Sequence, residues 1–225
     1  MNEIIEGYFG TTSATLTEAA VDTLYMVGIS LVLGTLLAIP LAMGLVLLRP
    51  DGIKANAVGY AILNVTVNIA RSLPFIILMV VLMPLTRFVV GTRIGTTAAL
   101  VPLTLFIAPF MARLFETSIL EVPRGIVEAA QSMGATTGQI VRYFLLPEAW
   151  SSIILAITTG TVTLVGATAM AGTIGAGGVG DLALTYGYQA FNTPLMVLTV
   201  IVLILLVQGI QSLGNTLARR VRNRA

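Results

Sequence analysis

Long apolar segments alternate with short charged ones along the whole chain. An α-helix needs about 20 apolar residues to cross the hydrocarbon core of a bilayer. Five segments reach that length, and the spans predicted from them are about 24–48, 55–85, 94–115, 151–171 and 194–214. The pattern therefore predicts an all-α integral membrane protein with five transmembrane helices, folded as a single domain over 1–225.

Prolines inside the predicted spans include Pro40, Pro74, Pro102 and Pro109. Each removes a helix hydrogen bond, so each predicts a kink. Kinks are common in helices that line a pathway, but they are also common in membrane helices that only pack. The prolines therefore leave the function open.

Composition agrees with a membrane protein and excludes several kinds of chemistry. Hydrophobic residues make up 56% of the chain and charged residues 10%, against roughly 25% charged residues in soluble domains. Cysteine and histidine are both absent from the sequence, which excludes disulfides, thiol nucleophiles, imidazole bases and the usual zinc sites. The one lysine, Lys54, follows Ile53 rather than a glycine, so a Walker phosphate loop is absent. We expect no catalytic residue, metal site or cofactor in this chain.

The basic residues are concentrated on one side of the predicted membrane layout. The last seven residues hold four arginines, which predicts a cytoplasmic C-terminus by the positive-inside rule. With five spans, the loops at 49–54 and 113–148 then also face the cytoplasm, and nine of the twelve basic residues fall on that side. Parity places the N-terminus outside, together with its acidic residues. These residues are Glu3, Glu6, Glu18 and Asp22.

The second cytoplasmic loop, at about 116–148, contains a predicted helix that begins after Pro123. Arg124 and Glu128 are four residues apart, so they are predicted to pair on one face of this helix, next to Gln131. A second face is predicted to carry the less polar side chains. Those side chains are Ile126, Ala130 and Met133.

Gly134 is predicted to end this helix, because glycine takes a left-handed cap at no steric cost. Thr136 or Thr137 can cap a second short helix, and Pro147 is predicted to stop it. Periodicity alone favours a plain interfacial helix that only anchors the loop.

The order of residues in this loop is more specific than its periodicity. It resembles the loop of binding-protein-dependent ABC importer permeases, whose pattern is E-A-A, three residues, G, nine residues, I, one residue, L-P. The residues that match are Glu128, Ala129, Ala130, Gly134, Leu146 and Pro147. Phe144 stands where the family usually has isoleucine, a departure that keeps an apolar contact.

Three further features resemble the methionine-importer subgroup of these permeases. They are the string 71–74 (Arg-Ser-Leu-Pro), the glycine-rich stretch 175–180 and the string 186–188 (Tyr-Gly-Tyr). Together with the five-span layout, the resemblance covers roughly 24–213.

This resemblance implies a type I importer permease fold, with a coupling helix between spans 3 and 4 that docks in a groove of a cytoplasmic ATPase subunit. It places six residues at or beside that interface. They are Arg124, Glu128, Ala129, Ala130, Gly134 and Pro147. It further implies a homodimer in the lipid of a bacterial inner membrane, an ATPase pair that binds ATP and Mg, an extracytoplasmic substrate-binding protein and no nucleic acid. The expected activity is import of D- or L-methionine by alternating access.

Gly175, Gly177 and Gly180 form the string G-x-G-x-x-G. A dinucleotide site needs that string inside a βαβ unit, and here it lies between two membrane spans, so we reject that interpretation. Together with Gly178, these glycines predict a tight re-entrant turn near the outer end of the pathway, a candidate gate. Met170, just before them, is a candidate plug. A plain outer loop and ordinary methionine packing are the alternatives.

Arg71 is an ionisable residue inside a predicted span, which is costly in lipid and marks a functional candidate. It is predicted to face a water-filled pathway or a second subunit, or else to snorkel to the membrane surface.

Three other functions stay open. The first is a permease for another amino acid or small solute. The second is an autonomous secondary transporter, and the third is an assembly subunit that transports nothing. Proton-coupled carriers use carboxylates inside the membrane, and the stretches 24–48, 94–112 and 149–180 contain none. That makes the secondary transporter the weaker alternative.

Overall fold

The computed structural model describes residues 11–223, and every regular element within them is helical. The helices in chain order are α1 (Ser13–Leu48), α2 (Ala57–Ser72), α3 (Phe75–Val81), α4 (Met83–Val90), α5 (Thr96–Leu120), α6 (Arg124–Ser132), α7 (Thr137–Ile140), α8 (Leu146–Gly172), α9 (Val179–Asp181) and α10 (Thr193–Arg222). A π-helical segment, Val141–Leu145, joins α7 to α8, and a second one, Leu182–Gln189, follows α9. The acidic residues Glu3 and Glu6 and the last arginine, Arg224, lie outside the described residues.

Four of the helices within 11–223 are long and apolar enough to cross a membrane, or five if α2 and α3 are counted as one broken span. The first span begins earlier than the predicted position 24, because the small and polar residues that follow Ser13 continue the same helix. Thr12 supports this start by accepting a hydrogen bond from the backbone N–H of Thr15 at 3.2 Å. With 36 residues, α1 is about 54 Å long, so it extends beyond the hydrocarbon core.

The predicted second span, about 55–85, is three helices rather than one. α2 ends at Ser72, and Pro74 is the residue from which α3 starts. The residue before a proline is disfavoured in the α conformation, which explains a break at Leu73. The helices that contain Pro40, Pro102 and Pro109 run through these positions unbroken. Only Pro74, among the four prolines predicted to kink a span, ends a helix.

Packing divides the chain into two compact units built from segments far apart in sequence. One unit is Met1–Gly34, Leu73–Ile107 and Thr161–Ile210, and the other is Thr35–Ser72, Ala108–Gly160 and Gln211–Ala225. In the first unit, Ala19 packs with Val179 and Leu182 in a buried apolar cluster. The prediction of a single domain stays a prediction.

Glycines bring the helices of the second unit close together. A Cβ atom added at Gly160 would lie 2.2 Å from the Sδ atom of Met111, and one at Gly214 would lie 2.0 Å from the Oγ1 atom of Thr158. Small residues at helix contacts are the usual means of close approach in membrane proteins. These contacts hold α8 against α5 and against the C-terminal part of α10.

Candidate functional site

The predicted coupling helix is present as α6, which begins after Pro123 and ends at Ser132, with Met133 as its C-cap residue. Gly134 has a φ of 77°, in the left-handed region, and its backbone N–H donates to the carbonyl oxygen of Gln131 at 2.9 Å. The predicted left-handed ending of this helix is therefore confirmed. Glycine takes this conformation without the steric cost that a Cβ atom adds.

The second part of the loop is capped as predicted. The backbone N–H and the hydroxyl of Thr136 both donate to Oε1 of Gln139, at 2.8 and 3.0 Å. The prediction that Pro147 stops this helix is wrong, because α7 continues through the π-helical segment into α8. Proline lacks an N–H and crowds the carbonyl four residues earlier. A π-turn directly before it widens the helix, so the chain stays helical past Pro147, which is exposed in the first turn of α8.

Exposure separates the residues of α6 into two groups. Glu128 and Ala129 are exposed, as is Gly134 just beyond the helix, whereas Ala130 is 0% exposed. The methyl group of Ala130 therefore packs α6 against the rest of the chain and is not available to a partner. Met133, predicted on the less polar face, is 70% exposed and is not part of the packed side.

The predicted pair between Arg124 and Glu128 is wrong. Arg124 instead pairs with Asp51 of the loop between α1 and α2, and the Nε atom of Arg49 lies 2.5 Å from the other carboxylate oxygen of Asp51. Partial desolvation opposes ionisation, but the backbone N–H of Asp51 and the guanidinium groups of Arg49 and Arg124 outweigh it and hold the pKa of Asp51 below its ordinary value. The two cytoplasmic loops of the predicted layout are thus joined by one carboxylate.

A cavity of about 300 Å³ lies beside this junction, within the second unit. Its walls combine the loop after α1, the end of α5 and the inner side of α6. Residues that line it include Asp51, Ile119, Val127, Glu128, Gln131 and Leu145. Glu128 lines this cavity and is exposed, so a partner can reach it.

A polar cluster that the sequence pattern did not reveal joins α2 to α5. The guanidinium of Arg113 pairs with Glu116 at 2.6 Å, donates to the amide oxygen of Asn68 at 2.9 Å, and donates to that of Asn64. Glu116 is 5% exposed although it carries a charge. Two asparagines four residues apart in a predicted span were the available signal, and their helical spacing puts them on one face.

Arg71 lies in the last turn of α2 and is exposed. Its guanidinium carbon is 5.9 Å from the centre of the Phe110 ring, a cation–π contact. The same face of α2 that carries Asn64 and Asn68 therefore ends in a cation.

The glycine-rich stretch forms a tight turn between α8 and α9. Gly175, Gly177 and Gly178 have φ values of 78°, 76° and 91°, which favour glycine. A Cβ atom at Gly180 would lie 2.2 Å from the Cα atom of Ala169, so this position requires close backbone approach. Met170, at the end of α8, is 49% exposed. The turn is as tight as predicted, whereas its role as a gate stays a prediction.

No group of three or more carboxylate, imidazole or thiol side chains that could hold a metal ion occurs within residues 11–223.

Comparison with known proteins decides among the functions left open. Residues 31–223 match the family described as "Binding-protein-dependent transport system inner membrane component". The chain belongs to this family. It is a multi-pass permease of the inner membrane, and the predicted importer permease is confirmed at that level.

Individual relatives and solved structures extend the match over nearly the whole permease. The chain is 50% identical over 220 residues to the "Probable D-methionine transport system permease protein MetI" of Vibrio cholerae, covering 98% of both chains. It is 48% identical over 151 residues to the "D-methionine transport system permease protein MetI" of Escherichia coli K12, covering 67% of this chain and 70% of that one.

A chain of the inward-facing MetNI methionine ABC transporter is 42% identical and superposes with a TM-score of 0.92, covering 98% of this chain and 99% of that one. The type I importer permease fold predicted from the resemblance is therefore confirmed.

Proposed function

We propose that this chain is the permease subunit of an ATP-driven importer of methionine, taking the D- or L-amino acid into the cytoplasm by alternating access. The observation that carries the proposal is the full-length similarity to proteins named as methionine permeases, at 50% identity over 98% of both chains. Specificity for one cargo depends on many positions, so a match over the whole length supports the cargo better than a match to one motif.

Force enters the permease, on this proposal, through α6. Glu128 and Ala129 are exposed, and the left-handed turn at Gly134 sets the angle to α7. Ala130 anchors the helix inward, and Arg124 ties it to the preceding loop through Asp51. An exposed glutamate on a short helix held at both ends suits a groove on a partner that moves when it binds nucleotide. The exposed Pro147 lies on the same cytoplasmic segment.

The partners follow from this arrangement. Two copies of the chain form a homodimer around the pathway. Two ATPase subunits dock on the two copies of α6, and these ATPase subunits bind ATP and Mg. A substrate-binding protein delivers the amino acid from outside. The charge bias of the loops supports a cytoplasmic C-terminus, with α6 on the same side and the N-terminus outside. The glycine turn at 175–180, Met170 and Arg71 are the candidate gate and pathway residues.

Reconstitution tests this proposal. The permease, its ATPase and its binding protein are placed in proteoliposomes, and ATP-dependent uptake of radiolabelled methionine is measured. We expect Glu128→Arg to abolish both co-purification of the ATPase and uptake, because it reverses the exposed charge on α6. Glu148→Arg, an equal charge reversal at an exposed glutamate of α8, is the matched control and should retain both.

Two results would refute parts of the proposal separately. Uptake of methionine without the ATPase would favour the secondary transporter. Uptake of a different amino acid, with methionine ignored, would retain the importer and reject the cargo.

A further inference from the structure

Two different surfaces run along the length of α2. Successive helical residues are about 100° apart, so Tyr60, Asn64, Asn68 and Arg71 fall within an arc of about 80°, which we call the polar face of α2. The opposite surface is apolar and exposed. It carries Val58, Ile62, Val65 and Ile69, whose exposed fractions are between 53% and 70%. Val67, which borders the polar face on one side, is buried against the chain.

The apolar surface and the exposed end of the polar face cannot share one environment. The apolar surface suits lipid, whereas exposed Asn68 and Arg71 are costly there. Arg71 is about 21 Å along α2 from Ala57, so a helix that enters the hydrocarbon core near Ala57 holds Arg71 within the core thickness of roughly 30 Å. The polar face therefore meets water or protein at membrane depth.

The charges on this face do not cancel. Glu116 neutralises Arg113, whose guanidinium also holds the amide oxygens of Asn64 and Asn68 in place. Arg71 contacts the ring of Phe110, and none of the ion pairs found within residues 11–223 involves it. One uncompensated cation with amide groups beside it is a suitable receptor for a carboxylate, which guanidinium groups bind with charge-assisted hydrogen bonds.

We propose that the polar face of α2 lines a water-filled part of the transport pathway and that Arg71 binds the carboxylate of the zwitterionic amino acid in transit. The second statement rests on the proposed function, and it names the group of the cargo that the permease recognises. Arg113 is a positioning residue on this proposal, because it orients the asparagine amides rather than meeting the cargo.

Thiol labelling tests the lining without reference to transport. The chain has no cysteine, so single cysteines can be placed in an otherwise native permease assembled with its ATPase. We compare Asn68→Cys with Ile69→Cys, neighbours on different surfaces of α2, using a membrane-impermeant thiol reagent on vesicles with the cytoplasmic side outward. We expect the cysteine at position 68 to be labelled at least roughly tenfold faster than the cysteine at position 69. The thiol at position 69 lies in apolar surroundings, where it ionises less. Added methionine should slow labelling at position 68 alone.

Uptake tests the role of Arg71. Arg71→Met should raise the apparent KM for methionine on the order of tenfold or more, as expected for loss of a hydrogen-bonded charge, and Arg71→Lys should recover part of the loss. Thr66→Val is the matched control, since Thr66 lies opposite the polar face and its hydroxyl donates to the carbonyl oxygen of Ile62 at 2.8 Å. Its KM should be unchanged.

The failures are distinguishable. Equal labelling at positions 68 and 69, or faster labelling at 69, overturns the inference even if the permease imports methionine normally. An Arg71→Met variant that folds, assembles and keeps the native KM overturns the carboxylate role. If the single-cysteine variants label as expected but the native permease imports no methionine, the water-lined face stands, and the proposed cargo falls together with the assignment of Arg71 to it.

Discussion

Removing the carboxylate of Glu116 is the sharpest test of the packing between α2 and α5. The Glu116 side chain is 6% exposed and that of Arg113 is 20% exposed, with 2.6 Å between the paired atoms. Breaking a buried ion pair from one side costs about 3–5 kcal/mol, because the remaining charge is left uncompensated. Arg113 keeps its bonds to Asn64 and Asn68, so we expect the low end, about 3 kcal/mol, for Glu116→Met.

A thermal assay on the detergent-solubilised permease measures this effect. For a chain of this size, 3 kcal/mol corresponds to a fall in Tm of roughly 6–12 °C. The double variant Arg113→Met/Glu116→Met should be more stable than either single variant, because an apolar pair replaces a buried ion pair at little net cost. A residual loss of about 1 kcal/mol is expected from the amide oxygens of Asn64 and Asn68, which both lose the guanidinium donor of Arg113.

The control for this cycle is Glu121→Gln, at an exposed glutamate that accepts a hydrogen bond from Ser152 at 2.7 Å. Its Tm should change by no more than about 2 °C. Strictly additive losses in the double variant, or an unchanged Tm for Glu116→Met, would show that the two charges do not depend on each other and would refute the reasoning.

Three further predictions concern packing, backbone conformation and pH. Gly160→Ala should lower the Tm, because its Cβ would lie 2.2 Å from the Sδ atom of buried Met111; Gly166→Ala, with nothing within 4 Å of the new atom, should not. Gly134→Ala should weaken ATPase co-purification and lower the free energy of unfolding by about 1 kcal/mol. The cause is the backbone strain of a left-handed alanine alone, because the new Cβ atom would meet nothing within 4 Å. An unchanged affinity for the ATPase would show that the turn does not matter for docking. Asp51→Asn should lower the Tm equally at every pH from 8 to 5, and its difference from the native permease should vanish only below about pH 4. The lowered pKa of Asp51 means that its contribution is present above the ordinary value of 3.8 and is lost as pH falls through the folded value; a difference that changes between pH 6 and 8 would contradict this assignment.

Much of the fold was predictable because membrane crossing is a local property. Whether a segment of about 20 residues partitions into lipid depends on its own side chains, so the spans, the loop at about 116–148 and the charge bias were available from the chain alone. The end of α6 at Gly134 was equally local, since a left-handed residue favours glycine wherever the helix packs. The family could be inferred for the same reason, from a residue order inside one loop.

Local rules failed where two segments distant in sequence compete for one group. Arg124 has Glu128 one turn away, yet it pairs with Asp51, 73 residues earlier. Pro147 carries a local stop signal, but a π-turn and the packing of Ile140 and Leu145, both buried, keep the helix intact.

By itself, then, the sequence determined an all-α membrane protein with long apolar spans and a loop that resembles those of importer permeases, because partitioning, capping and motif order each act within a few residues. Only the tertiary structure decided which way α2 is rotated, and so that Asn64 and Asn68 meet Arg113 while Arg71 stays exposed. Rotation of a helix about its axis is set by everything packed against it. No short stretch of sequence contains that information.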